Sequence, residues 1–449
     1  MVRIRNASIL ALSSLYFITA LSGCSPQAGS QADGNTANKA GENEKAGTMN
    51  FDPNLSAQLS IYTDLGMTDE WFERFIIAPV RKKFPNITLE VVRKQKGTNP
   101  DELVIAGTFP DILYNSTPRL TQYKDLNLLY DMRELIKKHH FDLNSLNQPA
   151  LDAIKQWGDK GELYGLPFWV NFSALYYNKD IFDRFGVPYP KDGMTWDEVI
   201  ELSKSLTRNE GGVAYRGLDI HSLNDFYSQL SLPYVDAQTD KPLLETEGFK
   251  KVYETMMKLY KIPGNEIRKP AKDAFLKDKN LAMWPMYADV PTLINDLELN
   301  GDPFNWDMAQ MPSFPDSPGV AWQADSHNLH VTNTSKNKEA AFQVIMYLLS
   351  QEPQMELVKS GLLSSSADPE MNKRFGESIG VFKGKHLDAI LKSKPAPKYT
   401  MSKYDSIASG EFNAAFKNVE SGAKDINTAL REANEAAEKR IQEKKATQK

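Results

Sequence analysis

The sequence predicts an α/β protein with mainly parallel sheets flanked by helices, and the patterns of its first ordered stretch carry this prediction. Residues 59–63 alternate apolar and polar side chains as a half-buried strand does, and a helix pattern follows over 68–84. A second strand pattern covers 87–92, a helix pattern lies near 102–106, and a third apolar run begins at 112–114. Strands that alternate with helices are typical of a parallel sheet covered on both faces.

The carboxyl ends of these strands are the expected place for a ligand, because open α/β sheets bind ligands in the crevice beyond that edge. Tyr62 and Asp64 come at the end of the first strand, and Asn115 and Ser116 follow the third. Each of these side chains can instead cap a helix or stabilise a turn. They are candidate ligand-binding residues on the strength of their position.

Composition and charge are those of a large globular protein and exclude two classes of function. The chain has 449 residues, of which 41% are hydrophobic and 25% charged, a length that favours two or three domains. The formal net charge of -5, with basic and acidic residues interspersed, produces no field that attracts nucleic acid. A single cysteine can form neither a disulfide framework nor a thiolate metal site within the chain.

The amino terminus has the layout of an export signal. Arg3 precedes an apolar stretch over 9–21 that is too short, and too interrupted by serine and threonine, to span a membrane. The stretch ends in a Leu-Ser-Gly-Cys sequence at 21–24 that resembles the bacterial lipobox. Residues 1–23 are therefore predicted to be a lipoprotein signal peptide, with Cys24 as the lipidated first residue of the mature chain. An ordinary signal peptide, or a buried cysteine, is the alternative.

Residues 24–50 are predicted to form a flexible tether. From Ser25 to Asn50 the chain has no aromatic or branched aliphatic residue, so it cannot bury enough apolar surface to offset the entropy of ordering. A lipid at Cys24 followed by such a tether anchors the ordered part of the chain to a membrane. The expected location is the cell membrane, on its extracytoplasmic face.

The middle of the chain carries motifs that resemble a known family. Tyr-Gly-Leu-Pro stands at 164–167, Tyr-Asn-Lys-Asp at 177–180 and Thr-Trp-Asp-Glu at 195–198. This order resembles the family 1 extracellular solute-binding proteins of bacterial ABC transporters, the group that includes the maltose-binding protein. Further segments that resemble the family, in the family's order, are Phe109 to Ile112, Leu281 to Met283, Asp307 to Pro312 and Ser335 to Ala341.

The resemblance implies a two-lobed, periplasmic-binding-protein-like fold in which the chain crosses between the lobes three times. The amino-terminal lobe would comprise residues 51–170 and 313–362, and the carboxyl-terminal lobe residues 171–312 and 363–449. The crossings would lie near 169–172, 308–312 and 362–366. Each lobe is then discontinuous in sequence.

The same resemblance implies a substrate-binding lipoprotein of an ABC importer that captures an oligosaccharide in the interlobe cleft. Its partners would be the oligosaccharide, the permease and ATPase subunits of the importer, and the membrane through the lipid anchor. Such a protein is expected to be a monomer, to have no enzymatic activity and to need no cofactor.

Sugar recognition explains which residues to expect in the cleft. A pyranose has apolar faces that stack on aromatic rings and a rim of hydroxyl groups that need polar partners. By their position in the family, one set of candidates lies at the first crossing, a second set follows the segment Leu281 to Met283, and a third set follows the second crossing. These candidates are Trp169, Asn171, Trp284, Tyr287, Asp289, Trp322 and Asp325. Trp157, Trp196 and Trp306 are expected in the core instead.

Two other functions stay open on the sequence. The same fold can bind a polyamine, a peptide or a metal chelate, for which acidic rather than aromatic cleft residues are expected. A surface enzyme that degrades polysaccharide would need a pair of catalytic carboxylates in the cleft. The pairs Asp101–Glu102 and Asp197–Glu198 stand at helix starts, where capping explains them. The histidines show no spacing typical of a zinc site, so no metal is expected.

Overall fold

The computed structural model describes residues 51–52, 54–220, 222–266 and 270–447. The predicted signal peptide, the tether and Cys24 lie outside these residues. Within the described residues, no helix has both the length and the apolar character needed to cross a bilayer.

The strands are short and fall into two larger sheets and one pair. In chain order they are β1 (Ala57–Thr63), β2 (Ile87–Arg93), β3 (Ile112–Ser116), β4 (Leu166–Val170), β5 (Ser173–Asn178), β6 (Arg208–Glu210), β7 (Val213–Leu218), β8 (Leu281–Tyr287), β9 (Trp306–Gln310), β10 (Val320–Gln323), β11 (Ser326–Val331), β12 (Leu363–Ser364) and β13 (Lys394–Ala396).

Helices connect most of the strands. In chain order they are α1 (Asp69–Phe72), α2 (Ala78–Lys83), α3 (Pro100–Ala106), α4 (Thr121–Asp125), α5 (Arg133–Lys138), α6 (Gln148–Lys155), α7 (Lys179–Phe185), α8 (Trp196–Leu206), α9 (Leu223–Gln229), α10 (Glu247–Tyr260), α11 (Val290–Leu299), α12 (Lys338–Leu348), α13 (Gln351–Lys359), α14 (Pro369–Asn372), α15 (Asp405–Glu420) and α16 (Ile426–Thr447). A π-helical turn at Glu73–Ile77 joins α1 to α2, and another covers Asp273–Lys277. Short 3-10 helices cover Thr117–Arg119, Leu143–Ser145, Gly380–Phe382 and Leu387–Leu391.

The first sheet is mixed. Its strand order among the described residues is β12-β4-β11-β3-β1-β2. β1 runs parallel to β2 and β3, whereas β11 runs antiparallel to β3 and β4, and β12 antiparallel to β4. The α/β class and the first three strands are confirmed, but the prediction of mainly parallel sheets is wrong. β4 and β11 connect directly to the other lobe and not through a helical crossover, so nothing imposes the parallel direction on them.

The second sheet is mixed in the same way, with the strand order β6-β7-β8-β5-β9. β7 and β8 are parallel, while β5 is antiparallel to both of its neighbours and β6 is antiparallel to β7. β10 and β13 form a separate parallel pair. We call the parts of the chain built on the first and second sheets the first and second lobes.

Buried side chains form two large cores. The first surrounds the first sheet, for example at Phe72, Phe168 and Ile345, and continues onto one face of the second sheet at Trp306. The second core covers the opposite face of that sheet and includes Trp196 together with α10, α15 and α16. Trp196 and Trp306 are each 1% exposed, which confirms the prediction that these two tryptophans are structural.

Helix starts follow the predicted capping chemistry. The Thr68 hydroxyl accepts from the Trp71 N–H at 3.2 Å. At the start of α8, the Thr195 hydroxyl accepts from the Glu198 N–H at 3.3 Å, and the Glu198 carboxylate accepts from the Thr195 N–H at 2.7 Å. Glu102 accepts from the Asn99 N–H at 2.9 Å before α3. These carboxylates satisfy helix amino termini, as predicted.

The division of the chain into lobes stays a prediction, but two segments lie on the other side of its boundaries. β12 joins the first sheet although it follows residue 362. Phe314 and Trp322, expected in the first lobe, pack in the second core. β4 belongs to the first sheet and β5 to the second, so the chain passes between the two sheets at 171–172. β9 belongs to the second sheet and β11 to the first, so the chain also passes between the sheets within 311–325.

Candidate functional site

A cavity of about 430 Å3, which we call the interlobe cavity, is lined by residues of both lobes. From the first lobe, Thr117 and Pro118 lie just beyond β3, and Gln156 and Trp157 lie at the end of α6. The side chains of the second lobe come from α9, from the ends of β8 and β10, and from the segment after β13. They are Asn224, Asp225, Tyr227, Ser228, Tyr287, Gln323, Asp325, Lys398, Tyr399 and Met401.

Helix α9 presents its first turns to this cavity. The Ser222 hydroxyl accepts from the Asn224 N–H at 3.0 Å, and the Asp225 carboxylate accepts from the Ser222 N–H at 3.2 Å. This capping box stabilises the helix start and fixes the Asp225 side chain. Tyr227 and Ser228 follow on the same helix.

Aromatic rings line both sides of the interlobe cavity. Trp157 stands alone on the first-lobe side, where it is half-buried. On the other side, Tyr287 packs edge-on against Trp322 with ring centroids 4.6 Å apart, and Tyr227 packs against Tyr234 at 4.6 Å. Rings held by such contacts offer rigid apolar surfaces to a ligand.

The charged groups of the cavity are perturbed by burial. Burial raises the pKa of Asp225 to about 7, against the hydrogen bond from the Ser222 N–H. Burial also raises the pKa of Asp325, and the Lys398 ammonium opposes part of that rise. The pKa of Lys398 is in turn lowered by burial, with Asp325 acting in the opposite direction. The cavity therefore holds hydrogen-bonding groups in a poorly solvated setting, where polar contacts to a ligand are strong.

Asp325 is held by Asn171. The Asn171 side chain donates to Asp325 Oδ2 at 3.4 Å and accepts from the Ala288 N–H at 3.2 Å. Asp325 Oδ1 is buried and has no hydrogen-bond partner among the described residues. A buried carboxylate oxygen without a partner is costly. Asp325 thus has one oxygen fixed and one able to accept from a ligand.

Trp322 lies behind this site and not within it. It is 2% exposed and lines a smaller cavity of about 190 Å3, together with Asn171 and one edge of Tyr287. Its indole N–H has no partner among the described residues. We assign Trp322 to the support of Tyr287.

Two other predicted aromatic platforms lie in the first core. Trp169 is 5% exposed, donates from Nε1 to the Tyr114 hydroxyl at 3.0 Å and stacks on His327 with ring centroids 4.1 Å apart. Trp284 is also buried and packs against Phe275. Neither lines the interlobe cavity. The stack on His327 explains the burial of Trp169. The family resemblance gave the position of Trp169 on its strand but not which face of that strand is covered.

The predicted residues at the strand ends do not line the interlobe cavity. Tyr62 is buried and donates to the Thr98 carbonyl at 3.0 Å. Asp64 accepts from Arg119 at 3.3 Å, and its Oδ1 has no partner within the described part of the chain. Asn115 accepts from the Ser116 N–H at 2.8 Å, and both are buried. Asp289 is exposed at the start of α11. Of the predicted residues, the structure brings Tyr287 and Asp325 together in the cavity, with Asn171 adjacent. The predicted residues that do not line it are Tyr62, Asp64, Asn115, Ser116 and Asp289.

Most of the lining was not predicted from the sequence, including Trp157, Asp225, Tyr227, Lys398 and Tyr399. Trp157 was expected in the core, yet the polar Lys155-Gln156-Trp157-Gly158-Asp159 sequence around it has no apolar period and indicates exposure. Lys398 and Tyr399 lie in a proline-containing segment whose path is set by the β10–β13 pairing. Nothing local to that segment indicates a ligand.

The part of the chain that the structure describes contains no candidate metal site. No group of three or more histidine, cysteine, aspartate or glutamate side chains there is arranged to hold a metal ion.

Comparisons with known proteins agree with this geometry. A family model described as "Bacterial extracellular solute-binding protein" matches residues 68–355. A multiple sugar-binding protein of Streptococcus mutans is 26% identical over 161 residues, which are 35% of this chain and 36% of that protein. An arabinooligosaccharide-binding protein of Halalkalibacterium halodurans is 33% identical over 76 residues, 16% of this chain and 17% of that protein. The chain thus matches well under half the length of these two relatives.

Solved structures match over a larger part of the chain. An ABC substrate-binding protein of Listeria monocytogenes in complex with cycloalternan has a TM-score of 0.65 at 19% identity, and the match covers 86% of this chain and 99% of that one. The sugar-binding protein MalE of Xanthomonas citri has a TM-score of 0.65 at 18% identity, covering 88% and 100%. At this level of identity the likeness shows the fold, and the predicted two-lobed architecture is confirmed.

Proposed function

Because this chain belongs to the family of bacterial extracellular solute-binding proteins, we propose that it captures an oligosaccharide in the interlobe cavity for an ABC importer. The permease and ATPase of that importer would be separate proteins. The observation that carries the proposal is a single cavity, between two lobes, that combines aromatic rings with carboxylate, amide and ammonium groups.

The chemistry of the lining suits a sugar. Trp157 from one lobe and Tyr227, Tyr287 and Tyr399 from the other provide apolar faces for pyranose C–H groups. Asp325 and Lys398 provide an acceptor and a donor for hydroxyl groups. The names of the relatives point the same way, since they bind multiple sugars and arabino-oligosaccharides.

A cationic ligand such as a polyamine fits less well. Such a ligand needs ionised carboxylates, whereas burial raises the pKa of Asp225 to about 7 and that of Asp325 above its ordinary value. Lys398 adds a positive charge to the same cavity. A neutral, hydroxyl-rich ligand avoids this conflict.

Binding without cleavage is the second part of the proposal. A glycosidase needs two carboxylates free to act on the glycosidic bond. Asp225 is engaged at the start of α9 and Asp325 is held by Asn171. Each carboxylate thus has one oxygen engaged in a structural contact, and we propose that both serve binding.

Membrane attachment completes the proposal. Cys24 within its lipobox-like sequence would receive a lipid, and residues 24–50 would tether the two lobes to the extracytoplasmic face of the membrane as a monomer.

A thermal-shift screen tests the ligand class. The purified two-lobed protein would be heated with neutral oligosaccharides, polyamines, peptides and metal chelates, each at about 100 times a typical Kd, at which a ligand adds about 2.7 kcal/mol of stability. We expect stabilisation by a neutral oligosaccharide, which chromatography recovers uncleaved. Stabilisation by a polyamine or peptide with no response to any sugar would overturn the proposal, as would recovery of cleaved sugar.

A further inference from the structure

Met401 is an exposed apolar side chain in the wall of the interlobe cavity. It is 47% exposed, and it is the one methionine among the large apolar residues that are exposed in the described part of the chain. It lines the interlobe cavity together with Lys398 and Tyr399, which lie in the same segment between β13 and α15. Its thioether is therefore accessible both to a ligand and to dissolved reagents.

The backbone on both sides of Met401 is held in place. Before it, the Pro397 carbonyl accepts from Gln323 Nε2 at 3.2 Å. After it, the Ser402 N–H donates to the Asp405 carboxylate at 3.1 Å, at the start of α15. These two bonds fix the segment at the cavity, so the exposed side chain of Met401 stays in its wall.

A methionine in this wall suits the apolar face of a sugar ring. The thioether side chain is flexible and polarizable, so it follows the shape of the apolar surface that it meets. Trp157 lines the same cavity from the first lobe. A ligand that covers both side chains removes apolar surface from water, which favours binding. The affinity for sugar therefore depends on Met401 remaining apolar.

The other methionines of the described chain are better protected from solvent. Met283, Met308 and Met346 lie in the two cores and are at most 1% exposed. Met355 is half-buried on α13 and lines a different cavity, on the first lobe. A reagent oxidises the sulfur atoms that it can reach. Among these residues, Met401 is the one that dissolved peroxide reaches most easily.

We propose that Met401 is an oxidation site that lowers the affinity for sugar when its thioether becomes a sulfoxide. This inference rests on the proposed function. The thioether sulfur attacks one oxygen of hydrogen peroxide, the O–O bond breaks, an S–O bond forms and water leaves. The sulfur loses two electrons, which the peroxide gains. The product places a polar, chiral group where the apolar face of a sugar would lie.

The modification is reversible. A methionine sulfoxide reductase removes the oxygen as water while two thiols are oxidised to a disulfide. The thioether, and with it the apolar wall of the interlobe cavity, is then restored. Sugar capture would thus be switched off by peroxide and switched on again by reduction.

Limited treatment with hydrogen peroxide tests the site without any sugar. Peptide mass spectrometry on the treated protein should find sulfoxide at Met401 earlier than at Met355, and at Met283 last. Oxidation of Met401 that is slower than that of Met355 would overturn the inference, because Met401 would then not be the accessible sulfur.

Calorimetric titration with gluco-, manno- and arabinotrisaccharides, before and after the treatment, tests the effect on binding. The wild type should lose about tenfold in affinity, as expected when one apolar side chain no longer contacts the ligand, and reductase with dithiothreitol should restore it. Met401→Leu keeps an apolar side chain without sulfur and should keep its affinity after treatment. Met401→Gln should bind weakly without treatment. Met355→Leu, the matched control, should respond to peroxide as the wild type does.

Two results would overturn the inference: an unchanged affinity of wild-type protein that carries the sulfoxide at Met401, or an equal loss of affinity in treated Met401→Leu. Failure of all three trisaccharides to bind the untreated wild type would instead contradict the proposed function itself.

Discussion

The backbone N–H of Asn171 donates to the backbone carbonyl of Asp325 at 2.9 Å, which ties together two of the segments by which the chain passes between the lobes. The side chains of the same two residues approach at 3.4 Å. Asp325 also lines the interlobe cavity. A ligand that contacts Asp325 would therefore lie directly beside this junction.

Asn171→Ala should lower the free energy of unfolding by about 1–3 kcal/mol, because it leaves the Asp325 carboxylate and the Ala288 N–H without their amide partner. The backbone bond to Asp325 is kept. Asn427→Ala, at an exposed position of α16, should stay within about 0.5 kcal/mol of the wild type. Chemical denaturation measures both. Equal stability of the two variants would show that the Asn171 side chain does not support this junction.

Trp157→Ala and Trp322→Ala should lower different quantities: ligand affinity in the first variant and folding stability in the second. Trp157 is half-buried and lines the interlobe cavity, so its loss should weaken oligosaccharide binding about tenfold or more and change stability little. Trp322 is 2% exposed, so its loss should leave a void and lower the free energy of unfolding by about 3–5 kcal/mol. Denaturation and sugar titration on each variant separate these effects. The reverse pattern would return Trp322 to the ligand site.

Asp225 should make stability depend on pH. Its pKa is raised from 3.8 to about 7 by burial, so between these values the folded state retains a proton that the unfolded state has lost. The free energy of unfolding therefore falls as pH rises through this window and levels off above about pH 7. Asp225→Asn keeps an oxygen that can cap α9 but removes this titration.

Denaturation of the wild type and Asp225→Asn at pH 5 and pH 8 measures the effect. The wild type should lose stability relative to the variant at the higher pH. Other titrating groups, including Asp405, are present in both proteins and cancel in the difference. Parallel pH profiles would contradict the perturbed pKa.

Gly361→Ala should be more destabilising than Gly384→Ala. Both glycines have a positive φ, +82 and +75, so each substitution has a conformational cost of about 1–2 kcal/mol. A Cβ on Gly361 would also lie 2.5 Å from Phe382 Cε2, whereas one on Gly384 meets no described atom within 4 Å. Overpacking against the buried Phe382 adds about 1–3 kcal/mol. Denaturation midpoints that coincide would mean that Phe382 moves aside freely.

Cys24→Ser should release the protein from membranes and leave its oligosaccharide affinity unchanged. The lipid provides the membrane affinity, and the predicted tether separates it from the binding lobes. Cell fractionation with immunoblotting measures the first effect and calorimetry the second. A Ser25→Ala variant, which keeps the cysteine, should remain in the membrane fraction. Membrane-bound Cys24→Ser protein would show that lipidation does not anchor the chain.

Helix caps and apolar helix faces could be predicted from the sequence because they depend on residues that are neighbours along the chain. The Thr195–Glu198 capping box, the Thr68 cap and the apolar face of α16 follow from spacings of three or four residues. The motifs at 164–167, 177–180 and 195–198 likewise indicated the family, which the match over 68–355 shows. Through the family, Tyr287 and Asp325 were placed at the cavity.

The tertiary structure decided which tryptophans face a ligand. Trp169 stacks on His327 from a distant strand, whereas Trp157 lies where no described element fully covers it. Periodicity shows that one face of an element is buried and leaves open which other element covers it. Sheet direction, the path of the Lys398 segment and the lining of the interlobe cavity all depend on contacts between residues far apart in the chain, and only the packing of the two lobes determines those contacts.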